Sequence, residues 1–496
     1  MEDLFSRRDF LEAMGALGAS SLALWAGGCE SCQQQIANRP TRKNIQELWN
    51  ANPSDPVITT YKNAVTAMKA WDISHPGDPR GWEGQTQIHF NKCIHRNWLW
   101  LPWHRVYLLY FERICRQMTG DNTFALPYWN WNTHPAVPDP FWDTSSSLYD
   151  PQPGDPHQTG RGITQADQAD PSYIGTTVLQ NILNETNFNL FASGPPPTSD
   201  LHMGPDATGM LEGTPHNNIH GFVCGDMCSF ISPRDPVFYT HHNMLDCLWA
   251  HWNVDLNNAN TNDPAWANFA INDFVDENGN PVSVPAAITV LYPLLTYQFE
   301  PCSLVAATGQ AGQARLQGKQ LEAFLRAGAP SKLEFGPRFT VTQSVTAEVG
   351  KPTTSTITVD PAAVTSALGG GPHTRLVLTV GEVQMPPKRD YYVRVFLNKP
   401  DASGDTPIDD PHFAGSFGFF FDESGMKRPT TAGAMPAAPL TGFLVDVGAT
   451  LQKLNQAGSL GSNQLQVSLV PVPFARRQAA GEQLTLGRLE LAVAKF

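Results

Sequence analysis

His89, Cys93, His95 and His104 fall close together in HFNKCIHRNWLWLPWHR, and a second group follows as His216 and His220 in PHNNIH and the pair His241 and His242 in DPVFYTHHNMLD. Imidazoles gathered among tryptophans and leucines are the pattern of a metal site divided between two stretches of chain. Three histidines in the first group and, with one taken from the adjacent pair, three in the second point to two ions. A ligand set without carboxylates favours copper or zinc over magnesium, calcium or manganese. Paired zinc hydrolases usually recruit Asp or Glu bridges as well. Three neutral nitrogens per ion leave coordination positions open and support a Cu(I)/Cu(II) cycle, so two coppers could take up and activate O2.

Such a site dictates what the chain around it must do. His95 and His104 are nine residues apart, which at about 100° per residue sets them on opposite faces of any continuous helix. Pro102 suits a first helical turn and not an interior, so the sequence predicts a new helix around His104, with His95 and His89 supplied by the irregular stretch before it. His216 and His220, four apart, share one helix face, with Pro215 at its start. Asp235-Pro236 opens another helix, on which His242 and Asp246 share a face while His241 points elsewhere. Asp246 is thereby placed to orient the His242 ring. Ile45, Leu48 and Trp49, then Tyr61, Ala64, Val65 and Met68, recur at helical spacing as core faces. SHPGDPRGWEG is a loop, in which His75 reads as a surface histidine.

The chain of 496 residues is long enough for two domains. A net charge of −13 with no basic stripe argues against nucleic acid or acidic membranes as partners. Ser6-Arg7-Arg8-Asp9-Phe10-Leu11 precedes an apolar run from Met14 to Ala26, which reads as a twin-arginine export signal over residues 1–28. The run is shorter than the roughly 20 residues a membrane span requires. Cys29 after Ala26-Gly27-Gly28 leaves lipid anchoring open. Export to a periplasmic or extracellular space makes disulfides feasible among the eight cysteines, although Cys115 and Cys247 sit in apolar helical contexts that suit buried thiols. Residues 136–206 are loop-rich, with a short helix at VLQNILNE. Beyond Lys332, alternating segments such as FTVTQSV, TRLVLTV, DYYVRVFLN and QLQVSLVPV predict a β-sandwich. The expected organisation is a mainly α metal domain over 39–302, a linker over 303–334 and an all-β sandwich over 335–496.

The two clusters, Cys93-x-His95 followed by LPWHR and then DPVFYTHHNMLD, resemble the type 3 copper proteins, which comprise tyrosinases, catechol oxidases and haemocyanins, over roughly Arg39 to Pro301. The resemblance implies a four-helix bundle with long loops, holding one copper ion by His89, His95 and His104 and a second by His216, His220 and His242. The gap from His89 to His95 is shorter than in many relatives, with His75 as the fallback. Cys93 resembles the cysteine that in some members forms a thioether with the histidine at the position of His95, the alternatives being a free or disulfide-bonded thiol. Glu212 and Asn217 resemble a pair that holds a proton-accepting water, the alternative for Glu212 being a helix-capping carboxylate. Gly221 offers no side chain to steer a substrate carboxylate. DYYVRVFLNKP and HFAGSFGFFF resemble the β-domain that follows the copper domain in plant polyphenol oxidases, which can cover the copper site with a bulky residue or simply stabilise the fold. The implied activity is hydroxylation of monophenols and oxidation of o-diphenols to o-quinones with O2, with catechol oxidase or a haemocyanin-like carrier as rivals. A copper-loading partner is left open.

Overall fold

The computed structural model describes residues 39–150, 160–199, 207–300, 333–386, 390–420, 441–475, 477 and 479–496. The export signal, Cys29, Cys32, Cys302 and most of the expected linker lie outside the described residues. Five helices matter for the site: α1 (Pro56–Ser74), α2 (Trp82–Lys92), α3 (Trp100–Thr119), α4 (Asn217–Val223) and α5 (Val237–Ala250). The chain divides into two compact units that do not follow chain order. One comprises residues 1–94, 99–159 and 231–330, and the other 95–98, 160–230 and 331–496.

The first unit is helical. Asp55 caps α1 by accepting from the Val57 N–H, with Pro56 at the first position, and its buried stripe of Ile58, Tyr61, Ala64, Val65 and Met68 is the one the spacing predicts. α3 begins two residues before Pro102, at Trp100, because the first turn has no intrahelical use for the proline's missing N–H. It ends at Gly120, whose φ of 73° is a left-handed cap. α5 starts after Asp235, whose carboxylate accepts from Val237 N at 3.0 Å, and it is buried along its whole length. Both α1 and α5 pack against α3.

A buried ionic cluster joins α3 to α5. Arg42 donates to Glu112 at 2.9 Å, to Asn243 at 2.8 Å and to Asp246 at 3.1 Å, while Arg105 donates to the other Asp246 oxygen at 2.5 Å. The Tyr297 hydroxyl adds a third donor at 2.5 Å. Arg42 is carried by a two-residue strand, Thr41–Arg42, paired with Gln298–Phe299, so both ends of the helical segment meet here. Asp246, expected to orient His242, has its carboxylate committed to two arginines and a tyrosine. Removing it takes the carboxylate partner from the buried Arg105 and leaves Arg42 with Glu112 as its sole carboxylate, so Asp246→Ala should cost about 3–5 kcal/mol, read as a lower urea midpoint of tryptophan fluorescence.

The second unit is rich in β-structure. Its strands are β1 (Glu334–Val341), β2 (Val345–Glu348), β3 (Thr353–Thr358), β4 (Thr374–Val383), β5 (Tyr391–Leu397), β6 (Phe413–Phe417), β7 (Thr441–Asp446), β8 (Gln464–Pro473), β9 (Gln483–Leu486) and β10 (Arg488–Lys495). They form two four-stranded sheets, β6-β5-β8-β3 and β7-β4-β10-β1, with β9-β2 as a separate pair. Neighbouring strands are antiparallel throughout. Val393, Val395 and Leu469 from one sheet share a core with Leu376, Leu378 and Leu491 from the other, the arrangement of a sandwich. β5 is buried at every position because Phe396, on its other face, packs with Val470 and Ala402.

This unit also holds α4. Glu212–His216 forms a π-helical turn that runs directly into α4. Pro215 therefore lies inside a helix, contrary to the expected start, and the widened turn accommodates its missing N–H. The chain following β6 lies along this turn: Gly418 N donates to Gly213 O at 2.9 Å, and Thr214 donates to Ser416 O at 2.8 Å.

Candidate metal centre

In the helical unit, His89 comes from the last turn of α2, His104 from the first turns of α3, and His241 and His242 from α5. All four are buried. The Nδ1 of His104 lies 2.8 Å from Trp100 O. A carbonyl only accepts, so Nδ1 carries the proton and Nε2 presents a lone pair. That nitrogen faces His89 Nε2 at 3.5 Å, a separation that suits two donors to one ion. The His104 ring stacks on His242 with centroids 4.4 Å apart, and Phe238 packs on both His89 and His242.

In the sheet-rich unit, His95 belongs to the irregular segment between α2 and α3, where Arg96 takes a φ of 65°. That segment is tethered: Trp98 N donates to Gly194 O at 2.9 Å and Arg96 N to Glu212 at 2.7 Å. Glu212 also accepts from the Ser193 hydroxyl at 3.1 Å. It sits inside the π turn and reaches across to the His95 segment, rather than capping a helix start. Burial outweighs these hydrogen bonds and pushes its pKa up to about 8.

His216 and His220 project from the π turn and α4, with ring centroids 4.6 Å apart, and His95 lies 5.4 Å from His216. The Asn217 amide nitrogen donates to Gly418 O at 2.9 Å, which turns its oxygen toward His216 Nδ1 at 2.8 Å. The amide orientation thus sets His216 as the Nδ1–H tautomer, with Nε2 as the donor atom. His220 has the same form, because its Nδ1 lies 2.6 Å from Met227 O. Burial holds the His216 pKa down at about 4, so the ring is neutral at physiological pH and its lone pair is available.

Seven of the described histidines fall into two groups of the kind that can hold a metal ion, His89 with His95 and His104, and His216 with His220, His241 and His242. His241, set aside on helix-face grounds, belongs to the second of these groups. His75, the fallback for His89, is exposed, with its ring stacked on Trp71 at 3.7 Å and bonded to Ser74. Cys93 is buried, as are Cys115 and Cys247, and Cys224 pairs with Cys228 in a disulfide. Gly221 is closely covered, since a Cβ there would lie 2.6 Å from the Phe474 ring.

One aromatic at the site escapes the sequence reading. The Phe420 ring lies 4.0 Å from His220, 4.9 Å from His95 and 5.2 Å from His216, centroid to centroid, with Phe230 at 5.7 Å. It is the second of the three consecutive phenylalanines that close HFAGSFGFFF. The period-2 alternation that sends Phe417 and Phe419 into the sandwich core turns Phe420 the other way.

The model of the common central domain of tyrosinase matches residues 65–210 and 202–255. A tyrosinase of Hahella sp., HcTyr1, is 26% identical over 503 residues, covering 91% of this chain and 98% of the relative. The chloroplastic (+)-larreatricin hydroxylase of Larrea tridentata is 32% identical, but the match covers 50% of this chain and 48% of that enzyme. The chain thus spans almost all of the bacterial relative and about half the length of this plant one. Among solved structures, latent apple tyrosinase superposes with a TM-score of 0.62 at 20% identity, covering 92% of this chain and 97% of that one, a likeness of fold. Proteins with this central domain bind two copper ions, and the two groups of buried, all-imidazole donors fit such a dinuclear centre. Residues 65–255 thus carry the common central domain of tyrosinase, and the chain around them is similar over most of its length to a bacterial tyrosinase.

Proposed function

We propose that the chain is an exported tyrosinase that o-hydroxylates monophenols and oxidises o-diphenols to o-quinones. His89, His95 and His104 would hold one copper and His216, His220 and His242 the other, on the four-helix bundle that the family resemblance implies, with a thioether joining Cys93 to His95. The coppers supply the binding and reduction of O2. The observation that carries the reading is the set of buried imidazoles whose Nδ1 meets a carbonyl or amide oxygen, so that Nε2 is turned toward the site. Export through a twin-arginine signal over residues 1–28, with Cys29 available for a lipid, rests on the N-terminal sequence. Among the described residues no helix is long and apolar enough to cross a membrane. Phe420 is the bulky residue that keeps this form latent.

The monophenol step is supported by Glu212 and Asn217. A free phenol has a pKa near 10, so a base must help it bind as phenolate. Burial moves the Glu212 carboxyl to about 8, closer to the phenol than an ordinary carboxylate, and Asn217 is anchored beside His216. Two relatives bear the names tyrosinase and hydroxylase. The test measures O2 uptake and quinone absorbance with a monophenol alone, in copper-loaded Phe420→Ala protein with and without Asn217→Ala. At copper concentrations that saturate both variants, monophenol turnover should fall by roughly 100-fold more than diphenol oxidation in the Asn217 variant. Oxidation of diphenols only, before the Asn217 change, would make the chain a catechol oxidase. Reversible O2 binding without product would make it a carrier.

A further inference from the structure

We propose that the Cys224–Cys228 disulfide is a positioning device for His220, so that the thiol state of this pair sets the affinity of the second copper position. The inference rests on the copper reading above. α4 stops at Cys224, whose N–H returns to His220 O at 2.9 Å. The next four residues, Gly225–Cys228, form a tight 3-10 turn, and Met227 O in that turn accepts the His220 Nδ1–H at 2.6 Å. Cys228 Sγ itself lies 3.7 Å from His220 O. The bond therefore closes a loop that begins at the end of the helix bearing His220 and folds back to clamp the outer nitrogen of that ring.

Met227 N donates to Cys224 O and Ser229 N to Asp226 O, both at 3.1 Å, and the disulfide adds a covalent closure to this turn. Cys224 has a φ of 49°, a left-handed conformation that a residue with a Cβ seldom adopts unaided. The covalent link holds the turn. Gly225, at φ 61°, backs so closely on Gly160 that a Cβ there would lie 1.3 Å from the Gly160 carbonyl oxygen, which fixes the direction the turn takes once closed. Met227 is buried, whereas Cys224 and Cys228 are both partly exposed and within reach of a soluble thiol. Reduction by two equivalents of such a thiol breaks the S–S bond, gives two Cys thiols and leaves the reductant as its disulfide. Without the link, Cys224 relaxes toward an ordinary φ, the Met227 carbonyl leaves the ring, and His220 is free to exchange tautomers and turn.

The loss of a partner that orients a metal-bound imidazole typically weakens metal affinity by roughly 10–100-fold. The test is copper titration of the full-length chain and of Cys224→Ser/Cys228→Ser, with stoichiometry measured by elemental analysis and folding by circular dichroism. The expected result is two tightly held coppers in the parent and one in the variant, the second weakened by roughly 10–100-fold. Two coppers of unchanged affinity in a folded variant would overturn the proposal. Where the variant does not fold, 15N spectra of the metal-free parent, oxidised and then reduced, decide the matter. Loss of the protonated Nδ1 signal of His220 on reduction, with return on reoxidation, supports the link, and an unchanged signal overturns it. A parent that takes no copper would sink the copper reading instead, and the nitrogen spectra would still judge the disulfide.

Discussion

Replacing Phe420 with alanine in the full-length, copper-loaded chain is expected to raise kcat/KM for o-diphenol oxidation by roughly ten- to hundred-fold. The Phe420 ring contacts His220, His95 and His216 at centroid distances of 4.0, 4.9 and 5.2 Å. A substrate ring that approaches these imidazoles needs the same volume, so it binds only to the fraction of molecules in which Phe420 has withdrawn. Burying a phenylalanine stabilises by about 1.5–3 kcal/mol, which sets that fraction between about a tenth and a hundredth. The segment is held as well by Gly418, which donates to Gly213 and accepts from Asn217. A point substitution therefore tests the ring without disturbing the backbone that carries it. Truncation beyond residue 335 would not, because those strands share one compact unit with α4. An unchanged rate in a folded variant with both coppers would show that the ring does not limit access, and loss of copper would make it a packing wall.

The difference between what the chain announces and what it conceals follows from the range of the interactions. Tyr61, Ala64, Val65 and Met68 recur at the helical period, and the structure buries all four. The histidines were visible because their residue type is costly to bury without a use, whatever the fold around them. Pro102 marks a helix start because its constraint is local, acting through its own φ and missing N–H. Pro215 misleads by the same rule. It lies inside a π turn whose carbonyls and side chains are satisfied from β6 and the segment after it, some two hundred residues away. Nothing local reports such partners. Phe420 was hidden for a related reason: Phe417, Phe419 and Phe420 are chemically alike, and only strand register separates the one beside the histidines from the two in the core. Asp246 shares a helix face with His242 as its spacing requires, yet Arg42 and Arg105 claim its carboxylate, and Arg42 comes from the far N-terminal end of the segment. The Met227 carbonyl behind His220 is a backbone group, to which sequence patterns are blind.

His89 and His75 give the sharpest division within the ligand set. Alanine at His89 is expected to reduce copper from two ions per chain to about one and to abolish turnover, whereas alanine at His75 should leave both unchanged. His89 is fully buried, with its Nε2 3.5 Å from the lone pair of His104 and Phe238 packed edge-on at 5.0 Å. The short interval to His95 is workable because α2 ends at Lys92 and the backbone then leaves the helical path, so the two rings need not share a helix face. His75 follows the end of α1, exposed and stacked on Trp71. Its removal costs a surface contact. Removing His89 deletes a donor outright, which should weaken the ion by more than the roughly 100-fold lost with an outer partner. O2 reduction at a paired centre needs both metals, so diphenol oxidation should fall with the first copper. Copper content and diphenol turnover of the two variants, each carrying Phe420→Ala so that access is equal, decide between them. Two coppers retained without His89 would remove it from the set, and a copper lost with His75 would put that residue in its place.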